Sequence, residues 1–381
     1  MRLVKLKDVI RRANTKVDKD NTDLLYYVGG EHFDSGSVRV KRYGEIAGST
    51  IGPMFYYGFK AGQFLLVSRN PHLKKAGIVS IDGICSEKTF VLETQDETVL
   101  LQEFLPFILQ NELFWKYAIT HGHGSTNRFI NWSDLAEYEF CLPDIGQQRS
   151  LSNLLWSIER TRDAYLNLIE ASDALIQSQF VEMFGELRTA SRYDLVPLAS
   201  ILTVERGGSP RPIEDYITES ADGVNWIKIG DAEEGSIYIS RTKERIRPEG
   251  TRKSRHVEPG DFLLSNSMSF GRPYILQIDG YIHDGWLVLH DNNGVFNKLF
   301  LHSLLSSAYA AEMFASMAAG SVVKNLNKEL VGRLPIPVPP AGEQERFASF
   351  VEEADKSKLA IRQALESLEK SRTAIMNRVF D

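Results

Sequence analysis

Several short stretches of the chain combine arginine, lysine, asparagine and serine in patterns suited to binding nucleic acid. Lysine, arginine and small hydroxyls anchor phosphates, while arginine, lysine, asparagine and serine can donate to or accept from base edges. The candidate contacts are Lys41, Arg42, Ser68, Arg69, Asn70, Lys74, Lys75, Arg128, Arg206, Ser209, Arg211, Ser265, Asn266, Ser267, Arg272, Ser321, Lys324 and Asn325. For any one of these residues, an ordinary polar turn is the alternative interpretation.

The sequence contains no motif that indicates catalysis. It lacks the Asn/Asp-Pro-Pro-Tyr/Phe motif of amino-methyltransferases, a Gly-Lys-Ser/Thr phosphate loop and a nuclease-type cluster of carboxylates and lysine. His121 and His123 have no cysteine or third ligand nearby, so they predict no metal site. We therefore expect no catalytic residue, metal or cofactor in this chain.

The candidate contacts lie on a scaffold that the sequence repeats. Gly124–Phe184 aligns without a gap with Gly320–Phe380, at an offset of 196 residues. Further upstream, Gly62–Leu66 corresponds to Gly260–Leu264, and a candidate polar stretch follows each copy. A repeat this long is not a solenoid unit, so it predicts two copies of a whole domain plus a helix.

Each copy reads as several short strands followed by a helix. In the first copy, the predicted strands are 24–28, 38–41, 64–68, 78–81 and 89–93, before a helix at 100–119. In the second copy, they are 225–229, 236–240, 261–265, 274–278 and 286–289, before a helix at 298–318. This order favours an α+β fold over an array of βαβ units.

Each copy then ends in a long helix, predicted at 147–184 and 343–380. At 1.5 Å per residue, each would reach roughly 55 Å. Apolar residues recur every 3.5 residues, which indicates a coiled-coil seam. The seam positions are Leu151, Leu155, Ile158, Arg162, Tyr165, Ile169, Ser172, Ile176, Gln179 and Met183, and Phe347, Val351, Ala354, Lys358, Ile361, Leu365, Leu368, Arg372, Ile375 and Val379. The cations Arg162 and Lys358 are either a feature of the helix pair or basic stems whose charged ends reach water.

Composition is that of an ordinary globular protein, with 43% hydrophobic and 25% charged residues. The net charge is −6, but residues 1–75 contain 14 Lys and Arg against 7 Asp and Glu, and the segment Arg241–Arg255 contains seven basic residues against two acidic ones. Two cysteines are too few for a disulfide framework. The absence of an apolar leader or span predicts a cytoplasmic protein without membrane contact.

In the order of its motifs, the chain resembles the DNA-specificity subunit of type I restriction–modification systems. In the second copy, the matching segments are Gly320–Leu326, Ile336–Pro340 and Glu343–Arg346, preceded by Gly207–Pro210, Trp226–Ile229 and Gly260–Leu264. In the first copy they are the diverged segments Gly124–Arg128, Leu142-Pro143 and Gln147–Arg149. The first copy departs from the family pattern at Cys141 and Gln147.

This resemblance implies two pseudo-symmetric target-recognition domains joined by two long antiparallel coiled-coil helices. The boundaries are 1–143 for the first domain, 144–186 for the central helix, 187–340 for the second domain and 341–381 for the C-terminal helix. Each domain would read one half of a bipartite double-stranded DNA target. Two modification subunits would dock on the helices and restriction subunits would join them. The partner subunits would bind S-adenosylmethionine, ATP and Mg²⁺, and adenine would be the methylated base.

Three alternatives remain at this point. The chain could be the specificity subunit of a type IIB or other composite modification system, which only its partners would distinguish. It could be a nuclease or methyltransferase that lacks its usual signature, although the missing motifs oppose this. It could also be a coiled-coil scaffold protein, but that would not explain the duplicated domains with their basic loops.

Overall fold

The structure is a computed structural model that describes residues 2–233, 235–266, 271–318 and 326–380. The chain divides into two units. Unit 1 comprises residues 1–165 and 363–381, and unit 2 comprises residues 166–362. Each unit therefore contains one globular region together with parts of both long helices.

The strands of unit 1 form two four-stranded sheets and a two-stranded one. They are β1 (Arg2–Lys5), β2 (Ile10–Arg12), β3 (Tyr26–Val28), β4 (Gly44–Glu45), β5 (Phe55–Phe59), β6 (Phe64–Val67), β7 (Ala76–Ile78), β8 (Gly83–Ser86), β9 (Thr89–Thr94) and β10 (Glu139–Leu142). The orders are β2-β9-β6-β7, which is antiparallel, β4-β3-β8-β5, in which β3 and β8 are parallel, and β1-β10. The apolar residues of β6 and β9 face the core, which explains why these two strands could be predicted from their runs.

The helices of unit 1 are α1 (Leu6–Val9), α2 (Leu105–Leu109), α3 (Glu112–Thr120), α4 (Trp132–Leu135) and the first half of α5 (Ile145–Phe184). The helix predicted at 100–119 is therefore broken in two. The Asn111 side chain accepts a hydrogen bond from the Leu113 N–H at 2.7 Å and caps α3. The strand predicted at 38–41 is wrong, because Arg39 forms only an isolated bridge with Ile78.

Unit 2 repeats this plan. Its strands are β11 (Gly185–Glu186), β12 (Ala190–Ser191), β13 (Leu195–Pro197), β14 (Thr203–Arg206), β15 (Val224–Ile227), β16 (Tyr238–Ile239), β17 (Glu244–Ile246), β18 (Arg255–Val257), β19 (Phe262–Ser265), β20 (Pro273–Leu276), β21 (Gly280–Ile282), β22 (Trp286–His290) and β23 (Pro335–Pro337). The orders are β14-β22-β19-β20-β16, β17-β15-β21-β18, β13-β23 and β11-β12. The first three match the sheets of unit 1 strand for strand, apart from the added edge strand β16.

The helices of unit 2 are α6 (Lys298–Leu305), α7 (Ala308–Ala318), α8 (Lys328–Gly332), the second half of α5 and the first part of α9 (Ala341–Phe380). The helix predicted at 298–318 is interrupted at Ser306 and Ser307. The Ser307 hydroxyl donates to the Leu304 carbonyl at 2.7 Å and accepts from the Ala310 N–H at 3.2 Å. Such local bonds compete with the helical ladder, which explains the break.

The long helices α5 and α9 pack along the predicted seams. Every one of the twenty predicted seam positions is buried or half-buried, which confirms the 3.5-residue pattern. In unit 2, Phe184 at the end of α5 packs on Phe300, with ring centroids 4.8 Å apart. In unit 1, Phe380 at the end of α9 packs on the equivalent residue Phe104 at 6.0 Å.

The two seam cations form ion pairs between the helices. In unit 1, Nε of Arg162 lies 2.8 Å from a carboxylate oxygen of Glu369. In unit 2, Nζ of Lys358 lies 2.9 Å from Oδ1 of Asp173, and the Lys358 side chain is only 5% exposed. These cations are therefore features of the helix pair, as one of the two interpretations held.

A buried glutamine ties the start of each long helix to its own globular region. The Gln148 side chain accepts from the Leu101 N–H at 3.0 Å and donates to the carbonyls of Val99 and Pro143, both at 2.9 Å. In unit 2 the equivalent glutamine makes the same three bonds, which join Gln344 to Asn297, Val295 and Pro339 at 2.8, 3.1 and 2.9 Å. The repeat read from the sequence is thus reproduced at the level of single hydrogen bonds.

Candidate nucleic-acid interface

In unit 2, several candidate residues converge on Asp284, which lies between β21 and β22. The Ser209 hydroxyl donates to Oδ1 of Asp284 at 2.9 Å, and Nη2 of Arg211 lies 3.1 Å from Oδ2. Nε of Arg206 and Nδ2 of Asn266 donate to the Asp284 backbone carbonyl at 3.2 and 2.8 Å. We call these five residues the Asp284 corner. The structure thus brings together four residues that are up to 60 positions apart in the sequence.

Two glycines allow the loop that carries Ser209 and Arg211 to approach this corner. The N–H of Gly207 donates to the Trp286 carbonyl at 3.0 Å. A Cβ at Gly207 would lie 2.2 Å from the His283 carbonyl oxygen, and one at Gly208 would lie 2.5 Å from the Lys253 carbonyl oxygen. Backbone atoms cannot yield to such contacts, so this segment requires glycine at both positions.

The Asp284 corner carries a stable negative charge among cations. Burial raises the pKa of the Asp284 carboxyl, but the hydrogen bond from Ser209 and the charges of His283 and Arg211 together lower it more, so its pKa lies below the ordinary range. Arg252 and Lys253, next to Gly208, are exposed, and neither side chain has an ion-pair partner among the described residues. Exposed cations of this kind are suited to phosphates.

The other candidates of unit 2 divide into supporting and exposed residues. Ser265 and Asn266 are buried, and Oγ of Ser265 accepts from the Arg272 N–H at 3.0 Å, so these two side chains support the local backbone and do not face solvent. The Arg272 side chain is exposed. The predicted contacts Ser267, Ser321, Lys324 and Asn325 lie outside the described residues.

In unit 1, the residues after β6 correspond in sequence to those after β19, since the two strands are equivalent. The Ser68 hydroxyl is buried and donates to the Lys88 carbonyl at 2.8 Å. Asn70 adopts a left-handed backbone conformation with φ of 51°, and its N–H donates to the Arg128 carbonyl at 2.6 Å. These bonds hold the backbone on both sides of Arg69, whose side chain is exposed.

Two further cations of this region are held by neighbouring groups. Nζ of Lys74 lies 2.6 Å from a carboxylate oxygen of Glu112, and Nζ of Lys75 donates to the Gly30 carbonyl at 2.7 Å. Both side chains are half-buried. A phosphate would have to compete with these partners.

Arg128, Lys41 and Arg42 also have partners in unit 1. Nη2 of Arg128 donates to the carbonyls of Ile119 and Gly122 at 2.9 and 3.0 Å, which closes the loop after α3. Nζ of Lys41 lies 2.5 Å from Oδ1 of Asp163 on α5. Nη2 of Arg42 lies 2.7 Å from Asp34, and both side chains are more than half exposed, so this pair is a weak one.

The contacts predicted from the sequence did not include Asp284 or the acidic residue at the equivalent position of unit 1. Glu87 in unit 1 occupies the position of Asp284, since Gly83 and Gly280 open equivalent strands. A hydrogen bond from Lys88 lowers the pKa of the Glu87 carboxyl against the effect of burial, and the Tyr56 hydroxyl donates to it at 3.2 Å. The alignment of Ile81-Asp82-Gly83 with Ile278-Asp279-Gly280 could have pointed to both acids.

Within the residues that the structure describes, no group of three or more histidine, cysteine, aspartate or glutamate side chains could hold a metal ion. No helix among them is both long and apolar enough to cross a membrane.

Residues 191–370 match the family described as the type I restriction modification DNA specificity domain. A curated relative, the putative type I restriction enzyme MjaX specificity subunit of Methanocaldococcus jannaschii, is 23% identical over 263 residues. That alignment covers 65% of this chain and 60% of the relative, so the chain matches less than two thirds of the relative's length.

Two solved structures share the fold. One is the type I restriction–modification system S subunit from M. genitalium, with a TM-score of 0.60 and 16% identity over 100% of this chain and 96% of that one. The other comes from work on complex assembly and conformational transition of the type I R-M system, with a TM-score of 0.57 and 19% identity over 99% and 97% of the two chains. At these identities the likeness establishes the fold, two globular regions of mixed helix and sheet with long helices.

Proposed function

We propose, from the match of residues 191–370 to the type I restriction modification DNA specificity domain, that this chain is a specificity subunit of that family and selects a bipartite, asymmetric DNA target on behalf of catalytic partners. One recognition domain reads each half of the target. The chain itself is non-catalytic.

The observation that carries this proposal is that the two units share one arrangement of sheets but place different side chains at equivalent positions. Unit 2 presents Ser209, Arg211 and Asp284, whereas the equivalent place in unit 1 presents Tyr56, Lys88 and Glu87. Equivalent scaffolds with unlike hydrogen-bonding groups suit two unlike base sequences. This supports an asymmetric target rather than a palindrome.

The long helices are suited to binding protein partners. In unit 2 they leave large apolar side chains in solvent, including Leu168 at 50%, Leu175 at 55% and Leu359 at 56% exposure. In unit 1, Leu154 of α5 is 47% exposed. Leu168 and Leu175 are seven residues apart and so lie on one face of α5, and an exposed apolar row on a surface helix favours a protein interface. We assign this surface to two modification subunits, with restriction subunits joining the assembly.

We assign the catalytic steps to the modification and restriction subunits. They would bind S-adenosylmethionine, ATP and Mg²⁺, transfer the methyl group and cut DNA in the cytoplasm. Adenine as the methylated base follows from the family resemblance and not from any residue of this chain.

The test is to purify this chain alone and together with its modification subunits, and to incubate each with S-adenosylmethionine and unmethylated bacterial DNA. We expect methylation only from the complex, at an interrupted two-part sequence found by sequencing that detects methylated bases. Methyl transfer by the chain alone, or a single uninterrupted target, would overturn the proposal. Cleavage by the modification subunits themselves would instead place the chain in a type IIB or similar system.

A further inference from the structure

We propose that Asp284 positions Arg211 to bind a guanine in the half-site read by unit 2. This inference rests on the proposed function and extends it to a residue and a base. The starting observation is a carboxylate on a loop proposed to face DNA. Its charge repels the phosphate backbone, so its presence there requires an explanation.

The ion pair leaves most of the guanidinium available. Asp284 engages Nη2 of Arg211 through Oδ2 at 3.1 Å. Arginine has five N–H donors in a planar fork, so one edge can be held while another remains free. The Arg211 side chain is 76% exposed and that of Asp284 is 43% exposed. The free edge therefore faces solvent, where a base edge could reach it.

The fixed fork selects the ligand. Two parallel N–H donors match O6 and N7 of guanine in the major groove, which is the commonest specific contact of arginine with DNA. An unpaired arginine on a loop would have to give up side-chain freedom on binding. A guanidinium already oriented by a carboxylate gives up less, so its contact discriminates better.

Asp284 is less suited to reading a base itself. Its Oδ1 already accepts from Ser209 and its Oδ2 pairs with Arg211. Its backbone is held as well, because Arg206 and Asn266 both donate to its carbonyl oxygen. The corner thus holds Asp284 through four hydrogen bonds and leaves the Arg211 side chain 76% exposed.

Neighbouring cations favour the approach of DNA to this loop. Arg252 and Lys253 are exposed beside Gly208, and the Ser254 hydroxyl donates to the Ile282 carbonyl at 2.8 Å, which ties their segment to β21. Two exposed cations next to a base-reading arginine can hold the phosphates on either side of the base pair.

The experiment uses the complex of this chain with its modification subunits and a library of DNA duplexes randomised in both half-sites. Methylated molecules are sequenced for the natural chain, Arg211→Gln, Asp284→Asn and the double variant. Glu233→Gln is the matched control, because Glu233 pairs with Arg241 in an exposed contact of the same unit at 2.6 Å.

We expect Arg211→Gln to reduce the preference for guanine at one position about 5- to 150-fold, the range for one bidentate contact. Asp284→Asn should weaken the preference at that same position, the double variant should be no worse than Arg211→Gln, and the control should keep the natural profile. Arg211 is exposed, so its substitution leaves the fold intact and can carry the test alone.

Three outcomes would overturn the inference. The two variants could alter different base pairs, in which case Asp284 reads a base of its own. They could weaken all sequences alike, which would make Arg211 a phosphate contact. They could also leave the profile unchanged while the natural complex remains specific. If instead the natural complex shows no sequence preference, the proposed function fails, and this inference fails with it.

Discussion

Nε of Arg372 on α9 lies 2.7 Å from Oε1 of Glu159 on α5, and the two side chains are only 17% and 5% exposed. This buried ion pair in unit 1 fixes the two helices in an antiparallel register. The pair of Arg162 and Glu369 has the same register, because Arg162 lies three residues after Glu159 on α5 and Glu369 lies three residues before Arg372 on α9. In unit 2, Asp173 lies fourteen residues after Glu159 on α5, and Lys358 lies fourteen residues before Arg372 on α9. Each separation is two heptads, so this third pair keeps the same register.

We predict that Glu159→Ala destabilises the protein by about 3 kcal/mol, because it leaves Arg372 partly buried without its partner. Replacing both residues with leucine should recover most of that loss. Chemical denaturation measures the change. Glu366→Ala is the control, since its pair with Lys370 is exposed and should contribute less than about 1 kcal/mol. A loss no larger than that of the control would contradict the structural role of Glu159.

We predict that replacing the buried glutamine at the start of either long helix destabilises the hydrogen-bonded backbone only in the unit that contains it. Gln148→Ala leaves the Leu101 N–H and two carbonyls without their partner, at roughly 1–3 kcal/mol for each unsatisfied buried group. Hydrogen exchange should accelerate at Leu101 in this variant and at Asn297 in Gln344→Ala. The exposed Gln363→Ala should change neither amide. Equal acceleration in both units for either variant would show that the bonds are not local supports.

His302 predicts how unit 2 responds to acid. It lines a cavity of about 870 Å³ together with Asp173 and Lys358. Burial, and secondarily the charge of Lys358, lower its pKa to about 4. The unfolded chain, with an ordinary pKa near 6.5, therefore binds this proton more readily than the folded one. Protonation of His302 in the unfolded chain therefore costs the folded state nothing above about pH 6.5, and it lowers the stability of unit 2 progressively as the pH falls towards 4.

Relative to the natural chain, His302→Gln should therefore lose less stability between pH 7 and pH 4.5, by an amount on the order of 3 kcal/mol at most. Thermal unfolding followed across this pH range measures the difference. The same substitution removes a half-buried ring, so the comparison rests on the slope with pH and not on stability at a single pH. Parallel slopes for the two proteins would contradict the assignment.

Local patterns could be read from the sequence, whereas long-range partners could not. The prediction placed the starts of α5 and α9 within two residues and their ends at Phe184 and Phe380, because heptads and the preceding prolines are local signals. The strand β5 was missed, since its tyrosine-rich segment Phe55–Phe59 is only partly buried and shows no regular alternation.

The candidate site shows the same division. The repeated Gly-x-Phe-Leu-Leu segment correctly indicated that β6 and β19 are equivalent strands, since both occupy the same place in matching sheets. It could not show that Lys74 pairs with Glu112, which is 38 residues away, because tertiary packing decides which cations find partners. For the same reason, the sequence did not show that Asp284 would accept hydrogen bonds from Ser209 and Arg211.

We predict that the exposed arginines Arg69 in unit 1 and Arg272 in unit 2 each contact a different half-site of the DNA. Arg69→Ala should change base preference or affinity for one half-site, and Arg272→Ala for the other, by about 1–3 kcal/mol if the contact is to a base. Binding to duplexes altered in one half-site at a time measures this. Lys253→Ala serves as the comparison for a phosphate contact, because the Lys253 side chain is exposed and has no ion-pair partner among the described residues. Loss of such a contact should weaken binding to all sequences alike and flatten the salt dependence. If both arginine variants act on the same half-site, one domain does not read one half-site.

The final prediction concerns the length of the helices as the determinant of spacing within the DNA target. Deleting residues 164–170 and 361–367 removes seven residues from each helix and retains both the Glu159–Arg372 and the Asp173–Lys358 pairs. Seven residues equal two turns of the 3.5-residue pattern, so the seam stays in register. The helices shorten by about 10 Å, which corresponds to roughly three base pairs at 3.4 Å each. Methylation mapping should therefore show the same two half-sites with a spacer about three base pairs shorter. Deleting residues 164–170 alone disrupts the pairing and should abolish specific methylation. An unchanged spacer in the double deletion would show that the helices do not set this distance.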